Sequence, residues 1–134
     1  MIFADASALI AIVAKEPEGG AFVDILEQDA GPLCSAMSVW ETVAGMTKNY
    51  KFAVPAARSR VGLFLEALNF RFVDIGAREF ELAADAFARF GKSRHPAALN
   101  MGDCFAYACA RANEAKLLFK GEDFRKTDIA SALR

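Results

Sequence analysis

Short apolar runs alternate with segments of helical period along the whole chain, and that alternation leaves few folds open. Residues 2–4 read as a buried strand that stops at Asp5, and residues 6–15 then place Leu9, Ile10, Ile12 and Val13 at helical spacing up to the Pro17 region. A second helical pattern covers residues 18–29, and Gly31-Pro32 breaks it before a second short strand at 33–34. Ser35 or Ser38 can cap a helix that runs to about Tyr50, and Pro55 starts another with Val61, Phe64, Leu65 and Leu68 in one stripe. Residues 71–75 alternate as a third strand, and residues 78–90 are amphipathic. Residues 91–101 form a long loop, 102–115 an alanine-rich helix and 116–119 a fourth strand. Strands separated by helices call for a parallel sheet covered on both faces. At 134 residues, with 54% hydrophobic residues, the expectation is one packed domain spanning residues 1–134.

In such sheets ligands gather at the carboxyl ends of the strands, and acids fall there. Asp5 follows the first strand, Asp123 lies just past the fourth, and Asp103 opens the helix that feeds the fourth. Glu41 lies inside the helix after the second strand, with Met37 and Ala44 as helical neighbours, and a carboxylate at the edge of an apolar face needs a partner. Each aspartate also has a structural role open to it. Asp5 can cap the following helix, Asp103 stands at capping-box spacing from Asn100, and Asp123 after Gly121 can be a turn residue. Carboxylates that converge repel one another and hold protons more tightly unless cations bind. Oxygen donors without histidine or thiolate suit magnesium or manganese, ions that activate water for phosphodiester hydrolysis.

The net charge of −1 hides an asymmetry: residues 1–47 hold one base against seven acids, and residues 48–134 hold fifteen bases against ten acids. An acidic half can face metal while a basic half faces phosphates. Three cysteines with no CxxC pair and a single histidine argue against a disulfide framework and against a zinc site. The opening Met1-Ile2-Phe3-Ala4-Asp5 shows no secretion signal, and the apolar stretch of residues 6–14 is too short to span a bilayer, so the expected location is the cytoplasm.

Four strings, IFADASALIA, SVWE, LNMGDCFAYACA and LLFKGEDFRKTDI, resemble PIN-domain ribonucleases of the VapC toxin type in wording and order, and the resemblance runs from Ile2 to Ile129. It implies an α/β/α sandwich around a parallel sheet of about five strands. It makes Asp5 and Asp103 the core ligands of Mg2+ or Mn2+, with Glu41 holding or orienting metal-bound water and Asp123 completing the cluster. Ser7 matches a small hydroxyl residue that hydrogen-bonds a ligand or water. The resemblance further implies an RNA substrate, a small antitoxin protein as inhibitor and a homodimer. The antitoxin is expected to present an arginine or lysine to the acids, with residues 9–26 and 36–46 as a groove for its amphipathic helix. Arg94 and His95, in the loop before Asp103, are candidates to hold a phosphate of the RNA; a solvated loop around Pro96 is the alternative. Trp40 and the phenylalanines read as core rather than as platforms for bases, and Cys104 and Cys109 as small core residues.

Two readings from other classes compete. One is a PIN-fold module that binds RNA or protein without cutting. The other is a phosphotransfer or dehalogenase-like fold with Asp5 as nucleophile, a chemistry that expects a second aspartate where this chain has Ser7.

Overall fold

The computed structural model describes residues 1–133. Strands β1 (Ile2–Ala4), β2 (Leu33–Cys34), β3 (Arg71–Phe72) and β4 (Lys116–Leu118) form one parallel sheet in the order β3-β2-β1-β4. Helices α1 (Ala6–Val13), α2 (Gly19–Glu27), α3 (Ala36–Tyr50), α4 (Val54–Ala67), α5 (Ala77–Phe90) and α6 (Met101–Ala112) cover it, followed by a single 3-10 turn at Phe124–Lys126.

The two-residue period of the strands decides which helices pack where. Phe3 pairs in register with both Leu33 and Leu117, and all three enter the core formed with Ala86 and Phe90 of α5 and Tyr107 of α6. The alternate residues Ala4, Cys34 and Leu118 face the other side, against Leu9, Met46 and Val61 and, around Leu118, Phe22 and Leu26. The result is the three-layer α/β/α sandwich expected from the sequence.

The sheet has four strands rather than about five. Beyond β4 the described residues add one bridge, with Leu117 N–H donating to Ala130 O at 2.8 Å and Ala132 N–H to Leu117 O at 2.9 Å. Strand β3 is likewise two residues long instead of the five expected. Its partner β2 stops at Cys34 because Ser35 is already the N-cap of α3 and the chain turns into the helix at Ala36, the residue that would donate next to β3, so pairing closes after Val73 N–H donates to Cys34 O. Cys104 and Cys109 are buried, as expected. Trp40, expected in the core, is 70% exposed. The buried stripe of α3 runs through Ser38, Thr42 and Met46, which turns Trp40 outward. Phe72, Phe80 and Phe87 are also exposed, whereas Phe3, Phe22, Phe119 and Phe124 are core.

The corner between α1 and α2 depends on Gly19. A Cβ there would stand 2.5 Å from Ala11 O and 3.1 Å from Ile12 Cα, backbone atoms that cannot turn aside. Gly19→Ala is expected to destabilise the fold by about 1–3 kcal/mol through overpacking, read as a lower urea midpoint at unchanged slope. A midpoint equal to wild type would show that α2 can slide away from α1 at no cost.

Candidate active site

The carboxyl end of β1 leads straight into α1, and Asp5 sits at the junction. Its N–H donates to Leu118 O at 2.9 Å, which pins it between β1 and β4. The buried carboxylate caps α1 by accepting from Ser7 N–H at 3.0 Å, and it also accepts from Ser7 Oγ at 2.6 Å. Capping therefore does not exclude Asp5 from a cluster of acids, since the bonds from Ser7 both fall on one oxygen. The cap holds one oxygen, Oδ2, and fixes the rotamer.

Asp103 repeats the arrangement at the start of α6. Its N–H donates to Asn100 Oδ1 at 2.9 Å while its own Oδ2 accepts from Asn100 N–H at 3.1 Å, the reciprocal capping box expected from the spacing. Glu41 comes from the second turn of α3 and is half-buried. Its carboxylate lies against Gly102 of α6, beside Asp103. Asp123 precedes the 3-10 turn, exposed, on the loop that leaves β4.

The acids feel one another's charge. The Glu41 carboxyl is pushed up to about 7, first by burial and then by the negative charges of Asp5 and Asp103. Asp103 is pushed up to about 6 by burial, with the hydrogen bond from Asn100 opposing and the charges of Asp5 and Asp123 adding to the rise. Burial also raises Asp5, outweighing the hydrogen bonds from Ser7 and Ala6. Among the described residues none of the four acids has a lysine, arginine or histidine within salt-bridge distance. The basic side chains on either side of Asp123 in sequence, Lys120 and Arg125, are paired elsewhere. Lys120 Nζ contacts Glu16 at 2.8 Å and Glu18 at 3.5 Å, and Arg125 pairs with Glu122.

A set of oxygen donors, one buried, two half-buried and none compensated by a cationic side chain, fits a hard divalent cation. Among the described residues no three acid, histidine or cysteine side chains converge tightly enough to close on one ion as they stand. Binding would use rotation of the long Glu41 side chain or water between ligand and ion, as is usual for magnesium.

The remaining sequence candidates occupy different surroundings. Ser7 joins the cluster as a bridge: its Oγ donates to Asp5 and accepts from the Lys120 N–H at 3.0 Å, tying Asp5 to the segment that carries Asp123. Arg94 lies over the Phe87 ring at 5.0 Å. His95 packs edge-on against Phe90 at 5.2 Å, and its Nδ1 accepts from Ala97 N–H at 3.0 Å, so this ring serves the loop's own conformation. Neither residue hydrogen-bonds one of the four acids among the described contacts.

Two features escaped the sequence reading. One is Gly102, whose only signal was a glycine in a helical first turn directly before Asp103. The other is an apolar groove of about 700 Å3 between α3 and α4, lined by Val39, Trp40, Val43, Val61, Leu65 and Phe70. Of the segments expected to form a groove, only the α3 half contributes, because Leu9, Ala11, Val13, Phe22 and Leu26 are buried in the core.

Comparison with known proteins agrees with this architecture. The family model described as PIN domain matches residues 2–130. A VapC ribonuclease of Rhizobium meliloti is 38% identical over 141 aligned positions, covering 96% of this chain and 99% of that protein. Ribonuclease VapC30 of Mycobacterium tuberculosis is 39% identical over 127 positions, covering 95% of each. In solved structures the fold recurs in Mycobacterium tuberculosis VapC20, a Sarcin-Ricin loop cleaving toxin, with a TM-score of 0.76 at 16% identity and 97% of each chain covered. It recurs in VapBC2 from Rickettsia felis, bound to a DNA fragment from its promoter, with a TM-score of 0.74 at 16% identity, covering 98% of this chain and 97% of that one. The chain belongs to the PIN-domain family and is of the VapC type.

Proposed function

We propose that this protein is a metal-dependent ribonuclease, the toxin of a toxin–antitoxin pair, that hydrolyses RNA phosphodiester bonds at the Asp5, Glu41, Asp103 and Asp123 cluster. The observation that carries the reading is the crowding of mutually repelling carboxylates, with Asp5 buried and Glu41 and Asp103 half-buried, and no cationic side chain to compensate them. The names of the relatives, VapC ribonucleases aligned over nearly the whole chain, support the same activity.

Asp5 and Asp103 would be the principal ligands of Mg2+ or Mn2+, because their caps hold them in place and leave one oxygen of each uncommitted. Glu41 would hold or orient water at the ion, and Asp123, the most exposed, would complete the cluster directly or through water. Bound by these residues, the ion would supply an activated water and offset charge developing on the phosphate. Ser7 keeps the Asp5 carboxylate oriented. Arg94 is assigned to the phosphate backbone of the RNA, with His95 holding the loop that presents it.

The same reading carries a small antitoxin that offers an arginine or lysine to the acids and lays apolar side chains in the groove beside Trp40. It also carries a homodimer, for which the exposed Phe80, Phe87 and Met101 around one apolar hollow on α5 and α6 are the supporting surface. No helix among the described residues is long and apolar enough to cross a membrane. The reading places the protein in the cytoplasm, where its three free cysteines stay reduced.

Purified protein incubated with structured and single-stranded RNA is expected to cut in Mn2+ or Mg2+ and to stop in chelator. Undiminished cleavage in chelator would overturn the metal site. RNA bound but left intact under every metal condition would make the protein a binding module instead.

A further inference from the structure

Gly102 is the second residue of α6, a position where any residue with good helix propensity would serve the backbone better. A Cβ built there would overlap Glu41 Oε2 and stand 2.5 Å from Glu41 Cδ and 2.6 Å from Oε1. The three nearest atoms thus all belong to one carboxylate at the end of a flexible side chain. This is unlike Gly19, whose nearest atoms are backbone. An added methyl at Gly19 presses on the backbone, whereas one at Gly102 meets the Glu41 carboxylate first.

We propose that Gly102 is a positioning residue for the active site: its bare Cα is the seat that admits the Glu41 carboxylate to the first turn of α6, between Asp5 and Asp103. The seat is needed because the helices bearing the two groups cross closely. Glu41 reaches from α3 and Asp103 stands on α6, so the residue before Asp103 lies directly in the path of the glutamate. With a side chain at this position the carboxylate must swing away from the two aspartates, and the cluster loses its third member. The proposal rests on the metal-dependent reading of the cluster for its functional consequence, but not for its geometry.

The test is a double-mutant cycle with Gly102→Ala, Glu41→Ala and the pair, each read by Mn2+ binding in calorimetry and by thermal melting without metal. Gly102→Ala is expected to fold cooperatively and to lose about tenfold or more in Mn2+ affinity, the scale at which supporting residues act on metal sites. Glu41→Ala should lose a similar factor, and the double variant no more than either single, because both changes remove the same carboxylate. A crystal structure of Gly102→Ala should show Glu41 turned out of the cluster.

Unchanged Mn2+ affinity in Gly102→Ala would overturn the proposal. So would losses that multiply in the double variant, since Gly102 would then act through something other than Glu41. If Gly102→Ala melts far below wild type, the double variant decides: recovery with Glu41→Ala keeps the clash with the carboxylate, and no recovery overturns the seat. If the wild-type protein binds no Mn2+, the metal reading fails by itself. The position of Glu41 in the Gly102→Ala crystal structure and the melts still decide the seat.

Discussion

Asp103→Asn is expected to lower RNA cleavage by at least about a hundredfold, the upper end of what even outer-shell partners of a metal contribute, while raising the melting temperature of the metal-free protein. Asparagine is nearly isosteric, and its side-chain oxygen can still accept from Asn100 N–H, so the capping box of α6 survives. What disappears is a negative charge that burial and the neighbouring Asp5 and Asp123 already disfavour. Relieving that repulsion stabilises the empty cluster and removes its affinity for a cation. Asp5→Asn should act in the same direction, because one oxygen remains to accept from Ser7. Cleavage assays on both variants beside thermal melts separate the two roles of each residue. Unfolded variants would mean that capping dominates, and full activity in either would remove that residue from the chemistry.

Metal-free protein is expected to lose stability as pH rises from about 5 to about 8, and Mn2+ to restore it, with the larger rescue at the higher pH. The sign follows from which state holds the protons. Glu41 is raised from 4.5 to about 7 and Asp103 from 3.8 to about 6, and Asp5 is raised as well. Between the unfolded and folded values the folded chain keeps protons that the unfolded chain has released. Each step upward through that window therefore favours unfolding, and the loss is complete once pH passes the folded values. Glu16, whose carboxyl is lowered by Lys120 and Tyr50, works in the opposite sense, but its window lies below 4.5 and leaves this range untouched. Metal competes with the same protons, so its affinity should climb through the window and binding should release protons. Melts at several pH values with chelator or Mn2+ test this. Stability that is flat or rises toward pH 8 in chelator would show that the acids are not crowded in solution.

The architecture was legible because it rests on local rules. The apolar period of residues 2–4 and 116–119, the caps at Asp5, Ser35 and Asn100, and the breaks at Gly31-Pro32 are nearest-neighbour chemistry, and they yield alternating strands and helices wherever they occur. The strand count was less legible, since a strand is only as long as its partner allows. Residues 71–75 have strand character throughout, yet pairing ends where the neighbouring segment turns into α3 at Ala36.

The acids divide along the same line. That Asp5, Asp103 and Asp123 belong to one rim follows from chain order in a parallel sheet, and the family resemblance extends it to Glu41. Their proton affinities do not follow from chain order. They arise from burial and from charges brought together by strand and helix packing, between residues as far apart as Asp5 and Asp103. Trp40 shows the limit in the other direction. Its apolarity suggested the core, and only the rotation of α3 about Ser38, Thr42 and Met46 decided that it lines an open groove. Gly102 is the sharpest case. Sequence alone determined that a glycine stands before Asp103, but its use depends on an atom that is not there and on a glutamate from another helix. Steric complementarity between segments distant in the chain has no local signature, so only the tertiary structure could decide it.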